Sequence, residues 1–233
     1  MNSDFNVSRE CPSILLIGGG RGGVQIMDAL RDRDGSVLGD VVGFMDDDPA
    51  ALLLKDYNIP HYGPVSVDFA KGHQGRLFDA VVCSVSTSIK FRKRVFDEFS
   101  EAGIYFANVI HPTAWIGMNA HLGSGNIILA HCQIGSETIV GDNNFITAGC
   151  NIEHHCEVGS HNTFGPAVVT SSRCRIGNCV RLGTGIFMEP AVVIGNGCMI
   201  GSHNVFIYGE SVDEMSVVKT RADKTIRKLP GSA

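Results

Sequence analysis

The chain has 233 residues, enough for two modest domains. Its 19 Lys+Arg against 24 Asp+Glu leave a formal charge of −5, with no long run of either sign, which argues against nucleic acid or an anionic membrane surface as a partner. No apolar run approaches the roughly 18 residues of a membrane-inserted helix, and Met1–Pro12 is polar, so the expected compartment is the cytoplasm.

Residues 12–110 read as alternating strands and helices. Ser13–Ile17 is a short apolar strand running into Gly18, Gly19, Gly20, Arg21, Gly22 and Gly23, and Val24–Arg31 follows with helical spacing. A second strand near Val41–Met45 meets Asp46, Asp47 and Asp48; Asp79–Ser84 reads as a third strand, Ile89–Ala102 as a helix and Tyr105–Ile110 as a fourth strand. This alternation predicts a small, parallel, Rossmann-like α/β sheet of about four strands. Gly18, Gly20 and Gly23 match G-x-G-x-x-G between a strand and a helix, where glycines let phosphates approach the helix N-terminus, and Gly22 lies in the same loop. Asp46 and Asp47 stand where acidic residues hold a ribose hydroxyl. About 100 residues is roughly half of a full dinucleotide fold, so a mononucleotide or a nucleotide-linked sugar fits better than NAD. The competing reading leaves the glycines a tight turn only and gives Asp46 to Asp48 the cap of the next helix.

From Ile110 to Phe206, every sixth residue is large and apolar except Thr170, seventeen positions in all. Four residues after each, from Ala114 to Asn204, the side chain is small, amide or branched aliphatic, and the residue right after the large one is often glycine, as in Gly117, Gly135 and Gly165. The glycines suggest tight corners with unusual backbone angles. A hexad cannot bury its own apolar residue, so hexads must stack, and this period is the signature of a parallel β-helix with about 18 residues per coil. The array predicts roughly five coils over residues 111–208, with a tail at 209–233. A sandwich fits poorly, because its strands recur at about 8 to 12 residues.

Five of the eight cysteines (Cys132, Cys150, Cys156, Cys174 and Cys198) fall on the small column, where a buried hydrophobe is wanted. No C-x-x-C occurs, and neither disulfide nor structural metal is expected. His131, His155, His161 and His203 share one hexad position, which points to a corner preference.

A short α/β domain with a glycine-rich first turn, then Gly43-Phe44-Met45-Asp46-Asp47, then Ile110-His111-Pro112, then hexads: this order resembles the sugar acyltransferases that include sialic-acid O-acetyltransferases and N-acetyltransferases of nucleotide-linked 4-amino sugars of the bacillosamine and perosamine types. The resemblance covers nearly the whole chain. It implies a left-handed β-helix, a homotrimer with active sites between neighbouring helices, acetyl-CoA as donor, and a sugar nucleotide on the N-terminal domain. It also implies a catalytic histidine in a Glu-His-acid-Cys stretch, here Glu153-His154-His155-Cys156, so His154 takes the catalytic position. A neutral imidazole there would accept a proton as an amine, or less readily a hydroxyl, attacks the thioester.

Three positions depart from the family pattern. His155 stands where the orienting acid is usual, and Glu137, 18 residues earlier, is the candidate replacement because it should stack beneath His155. Thr163 replaces a histidine that helps hold acetyl-CoA, with His161 nearby but out of register by two. Lys219, Thr220, Arg221 and Ala222 replace a Gly-x-Pro-Ala segment. These departures leave open a transferase-like protein that only binds a sugar nucleotide. A third class, zinc held by histidines of adjoining subunits, is raised by the nine histidines.

Overall fold

The computed structural model describes residues 11–31 and 38–220. β1 (Ser13–Ile17) leads through α1 (Arg21–Ala29) to β2 (Asp40–Met45). Two helices that the sequence pattern did not reveal, α2 (Leu52–Tyr57) and α3 (Val67–His73), carry the chain back across β1 to β3 (Ala80–Cys83), and α4 (Ile89–Glu101) follows. The sheet is parallel in the order β2-β1-β3. Ile14 to Ile17 and Ala80 to Cys83 are all buried, as strands covered on both faces must be. Strand order reverses direction at β1, so a crevice opens beyond the carboxyl ends of β1 and β3.

The expected fourth strand is not one unit. Val81 donates to the Tyr105 carbonyl at 2.9 Å and accepts from Ala107 N at 3.1 Å, a single bridge to the sheet. Val109 N then donates to Asn126 O at 2.8 Å, inside the next domain. Ile110 has to join the hexad core, so Tyr105–Ile110 is divided between the two domains.

The hexads form a parallel β-helix of two-residue strands in three sheets. A first face of seven strands runs from Val109–Ile110 to Val217–Val218, a second face of six from Trp115–Ile116 to Val205–Phe206, and a third of six from His121–Leu122 to Ser211–Val212. Each strand pairs with the one 18 residues on, as Ile128 does with Ile146. There are about six turns, not five, because the column continues through Val212 and Val218 beyond the boundary expected at 208. The rest of the expected tail, 221–233, lies outside the described residues. Within the prism, Ile128, Ile146, Phe164 and Leu182 stack as one continuous core. Asparagines at one corner satisfy the backbone of the coil above: Asn126 Oδ1 accepts from Asn144 N at 3.0 Å, Asn144 Oδ1 from Asn162 N at 2.9 Å and Asn162 Oδ1 from Val180 N at 2.7 Å.

The corner conformation sits elsewhere than the glycines suggested. Positive φ recurs at every sixth residue from Asn119 to Met215, and His131, His155, His161 and His203 all adopt it, at 58°, 59°, 64° and 59°. Where a glycine follows a core residue it serves close stacking instead: a Cβ on Gly135 would lie 2.4 Å from His154 N in the next coil. α4 docks on the corner between the third and first faces. There the fully buried Arg92 donates through Nη1 to Cys83 O at 2.9 Å and through Nη2 to the backbone and side-chain oxygens of Asn143 at 2.8 and 2.7 Å.

Candidate active site

His154 and His155 lie on the corner between the second and third faces, both exposed, in a turn pinned from inside. Thr138 Oγ1 donates to Glu153 O at 2.8 Å and accepts from Cys156 N at 3.2 Å, while Thr170 Oγ1 accepts from Glu153 N at 3.3 Å. The residue that breaks the apolar column is thus the one that supports this turn. Neither threonine stood out as a functional residue in the sequence; the lapse at Thr170 was the available signal. From outside, His155 N donates to Ser136 O at 3.0 Å and Arg173 N to His154 O at 3.2 Å. The two imidazoles meet at 2.9 Å, Nδ1 to Nδ1, with rings 85° apart.

Glu137 does occupy the same corner column one coil before His155, with φ of 59°. Its carboxylate is engaged in the opposite direction, however, where Oε1 accepts from Asn119 Nδ2 at 2.7 Å. Among the described residues it makes no hydrogen bond to either histidine. His161, the near-miss for a cofactor-holding histidine, is 9% exposed beneath α4 and its Nδ1 meets Asn143 Nδ2 at 3.0 Å.

The glycine loop divides into packing and opening. A Cβ on Gly18, whose φ is +105°, would meet Ser84 Oγ at 2.7 Å; on Gly22 it would meet Ser84 O at 2.0 Å; on Gly23, Leu53 Cδ1 at 2.6 Å. Gly20 is exposed and has nothing within 4 Å, and its φ of −85° needs no glycine. It precedes α1 with no side-chain cap; Gly23 N turns back to Gly20 O at 3.0 Å, and no side chain covers the positive end of that helix by a capping bond. Asp46 closes the loop, Oδ2 accepting from Gly19 N at 2.6 Å and Oδ1 from Asp48 N at 2.9 Å, while Asp47 Oδ1 accepts from Val65 N at 3.0 Å. None of the three aspartates caps α2, which begins after Ala51. In the crevice beyond β1 and β3, Gly18, Asp46, Asp47, Val65, Val85, Ser88 and Phe91 enclose about 370 Å³.

A larger groove of about 620 Å³ runs along the first face, from Ser86 and Thr87 past Thr163, Arg181, Thr184 and Ser202 to Lys219. Thr163 is 8% exposed, and its Oγ1 is buried with no hydrogen-bond partner. Arg181 Nη1 donates to Thr87 O at 3.2 Å and ties the groove to the loop that also lines the crevice. In a three-sided prism the first face lies opposite the corner that bears His154. One chain therefore brings the crevice and Thr163 to one side and His154 to the other.

No protein-family model matches the chain, and no characterised protein matches it by sequence. Solved structures do. PerB from Caulobacter crescentus, in complex with CoA and GDP-perosamine, matches with a TM-score of 0.76 at 22% identity over 89% of this chain and 94% of its own. The acetyltransferase domain of PglB from Neisseria gonorrhoeae, in complex with acetyl coenzyme A, gives 0.78 at 18% identity over 90% and 97%. WeeI from Acinetobacter baumannii gives 0.54 at 18% identity over 88% and 95%. The chain has the fold of these proteins. It is a small α/β domain followed by a left-handed parallel β-helix. Among the described residues no group of three or more His, Cys, Asp or Glu side chains is placed to hold a metal ion, and no helix is long and apolar enough to cross a membrane.

Proposed function

We propose that the protein is a cytoplasmic acetyltransferase that moves an acetyl group from acetyl-CoA to the amine of a nucleotide-linked sugar, with His154 as general base. The observation that carries this is the likeness, over both domains and about nine-tenths of the chain, to structures that hold CoA with GDP-perosamine and acetyl coenzyme A. The local chemistry agrees. The N-terminus of α1, which carries no side-chain cap at Gly20, would face phosphates, and the crevice lined by Gly18 offers the Asp46–Asp47 loop for a ribose hydroxyl. The groove on the first face fits a long donor: Arg181 and Lys219 supply positive charge for phosphates, Met199 and Val217 supply apolar wall, and Thr163 lines it with its hydroxyl buried.

Bound there, acetyl-CoA would supply an activated acyl carbon. His154 would take the proton that the acceptor amine sheds as it attacks, and backbone amides at the coil corners would face the negative charge that develops on the carbonyl oxygen. Because His154 lies on the corner opposite the groove, the complete site needs a second copy. A homotrimer, with the His154 corner of one copy against the groove of the next, supplies it and covers Trp115, Ile139, Phe187 and Val205, which one chain leaves exposed. Sedimentation at micromolar concentration should give three copies; a stable monomer would remove the shared site.

The test of activity is release of CoA thiol from acetyl-CoA against a panel of nucleotide-linked sugars, each with an amino or only a hydroxyl group. Turnover with an amino sugar is the expected result. Binding of a sugar nucleotide with no affinity for CoA would instead favour a binding protein without transfer, the reading motivated by Thr163 and Lys219.

A further inference from the structure

We infer that His155 is the positioning residue for His154: its Nδ1 accepts the hydrogen bond from His154 Nδ1–H, holding the tautomer in which Nε2 of His154 is bare and able to take a proton. The inference rests on the proposed role of His154 and names the group that stands in place of a carboxylate. Two imidazoles that meet at 2.9 Å through their Nδ1 atoms must have a proton on one of them and a lone pair on the other. With the proton on His154, its Nε2 is an acceptor; with the proton on His155, Nε2 of His154 carries hydrogen and cannot act as a base.

The turn itself is already fixed. Thr138 and Thr170 bind the backbone at Glu153 and Cys156, and Ser136 and Arg173 bind it at His155 and His154. What remains free is rotation of the His154 ring, and among the described residues the hydrogen bond its ring makes is the one to His155. The charged neighbours lie along the same column: Glu137 one coil before His155 and Arg173 one coil after, with Glu153 and the Glu157–Arg175 pair to the side. Among the described residues none of these side chains hydrogen-bonds to either imidazole, and the Glu137 carboxylate is held by Asn119, so the direction of the shared proton rests with the pair itself. When His154 takes a proton at Nε2, the bond to His155 becomes charge-assisted and strengthens, as an orienting bond should when charge develops.

The experiment reads the tautomers directly, by long-range proton–nitrogen correlation of the imidazoles in solution, alongside kcat and KM. His155 has φ of 59°, so His155→Gly removes the ring without strain, and His155→Asn keeps a neutral acceptor in a residue at ease at that angle. Wild type should show His154 protonated on Nδ1. His155→Gly should lose that state and about 10-fold to 100-fold in kcat, with KM for acetyl-CoA little changed. His155→Asn should restore the tautomer and most of the turnover. The inference is overturned if His154 carries its hydrogen on Nε2 in the wild type, if His155→Gly keeps the wild-type tautomer or rate, or if His155→Asn does no better than His155→Gly. The spectra need no turnover, so they judge His155 even if the proposed activity fails.

Discussion

His155 and His161 hold the same hexad position one corner apart, with φ of 59° and 64°, yet the molecule uses them in opposite ways. His161 lies beneath α4. Arg92 takes the Asn143 oxygen, which turns the Asn143 amide nitrogen toward His161 Nδ1 and makes that atom an acceptor, and the Phe96 ring meets the imidazole edge-on with centroids 5.5 Å apart. His155 has no element over it and meets another histidine. The repeat sets the backbone at both corners; what covers each corner sets its chemistry. Sequence period alone could identify the shared position but not the cover, because the cover comes from α4, more than forty residues earlier in the chain.

The strongest test of that contrast is at the uncovered corner. His154→Ala should lower turnover by roughly 100-fold to 10,000-fold, the usual worth of a positioned base, with little change in melting temperature or acetyl-CoA affinity, since an exposed side chain supports no core. Thiol release and a thermal melt on the same variant decide it. A variant that keeps wild-type turnover would place the base elsewhere.

At the covered corner the order of effects should invert. Arg92→Ala should destabilise by about 3 kcal/mol, because it leaves Cys83 O and both Asn143 oxygens buried without donors and opens a cavity beside Phe145. Urea titration measures it. A loss below about 1 kcal/mol would mean that water reaches the domain junction. Lysine would not substitute well, since the fork of the guanidinium serves two carbonyl groups at once.

The same division between cover and opening runs through the glycine loop, and it marks how far the sequence could be read. The hexad column fixed the β-helix because an apolar residue every six positions has only one way to be buried, and Val212 and Val218 carried the same signal past the boundary drawn at 208. The short helices α2 and α3 left no periodic trace, having too few turns to show one. The glycine motif was visible, but the sequence could not say that Gly18, Gly22 and Gly23 are needed for packing while Gly20 alone faces open space. Gly20→Val should therefore leave the melting temperature unchanged and weaken sugar-nucleotide binding by about 10-fold, as a side chain intruding on a phosphate would. Calorimetry settles it, and equal affinities would reduce the loop to a turn. A site shared between copies was expected from the resemblance alone; what no period in the sequence could say is that the groove at Thr163 and the corner at His154 lie on opposite sides of one prism.

The smallest effect expected is the most specific to the comparison. Burial holds the His161 imidazole below the ordinary value of 6.5, with Lys93 and Arg92 acting in the same direction and Asp97 and Asp142 opposing. The unfolded chain thus binds more protons than the folded one in the window below about pH 6.5, so stability is fully present above that value and is lost as pH falls through the lower folded value. The geometry gives the same sign: a proton on Nδ1 would confront the Asn143 amide hydrogens, which cannot turn away because Arg92 holds the amide oxygen. His161→Asn keeps an acceptor at an angle asparagine adopts readily and has nothing to titrate. Its melting temperature should fall less than that of wild type between pH 7 and pH 5. If His161→Asn falls as steeply as wild type over that range, burial under α4 does not hold the imidazole neutral.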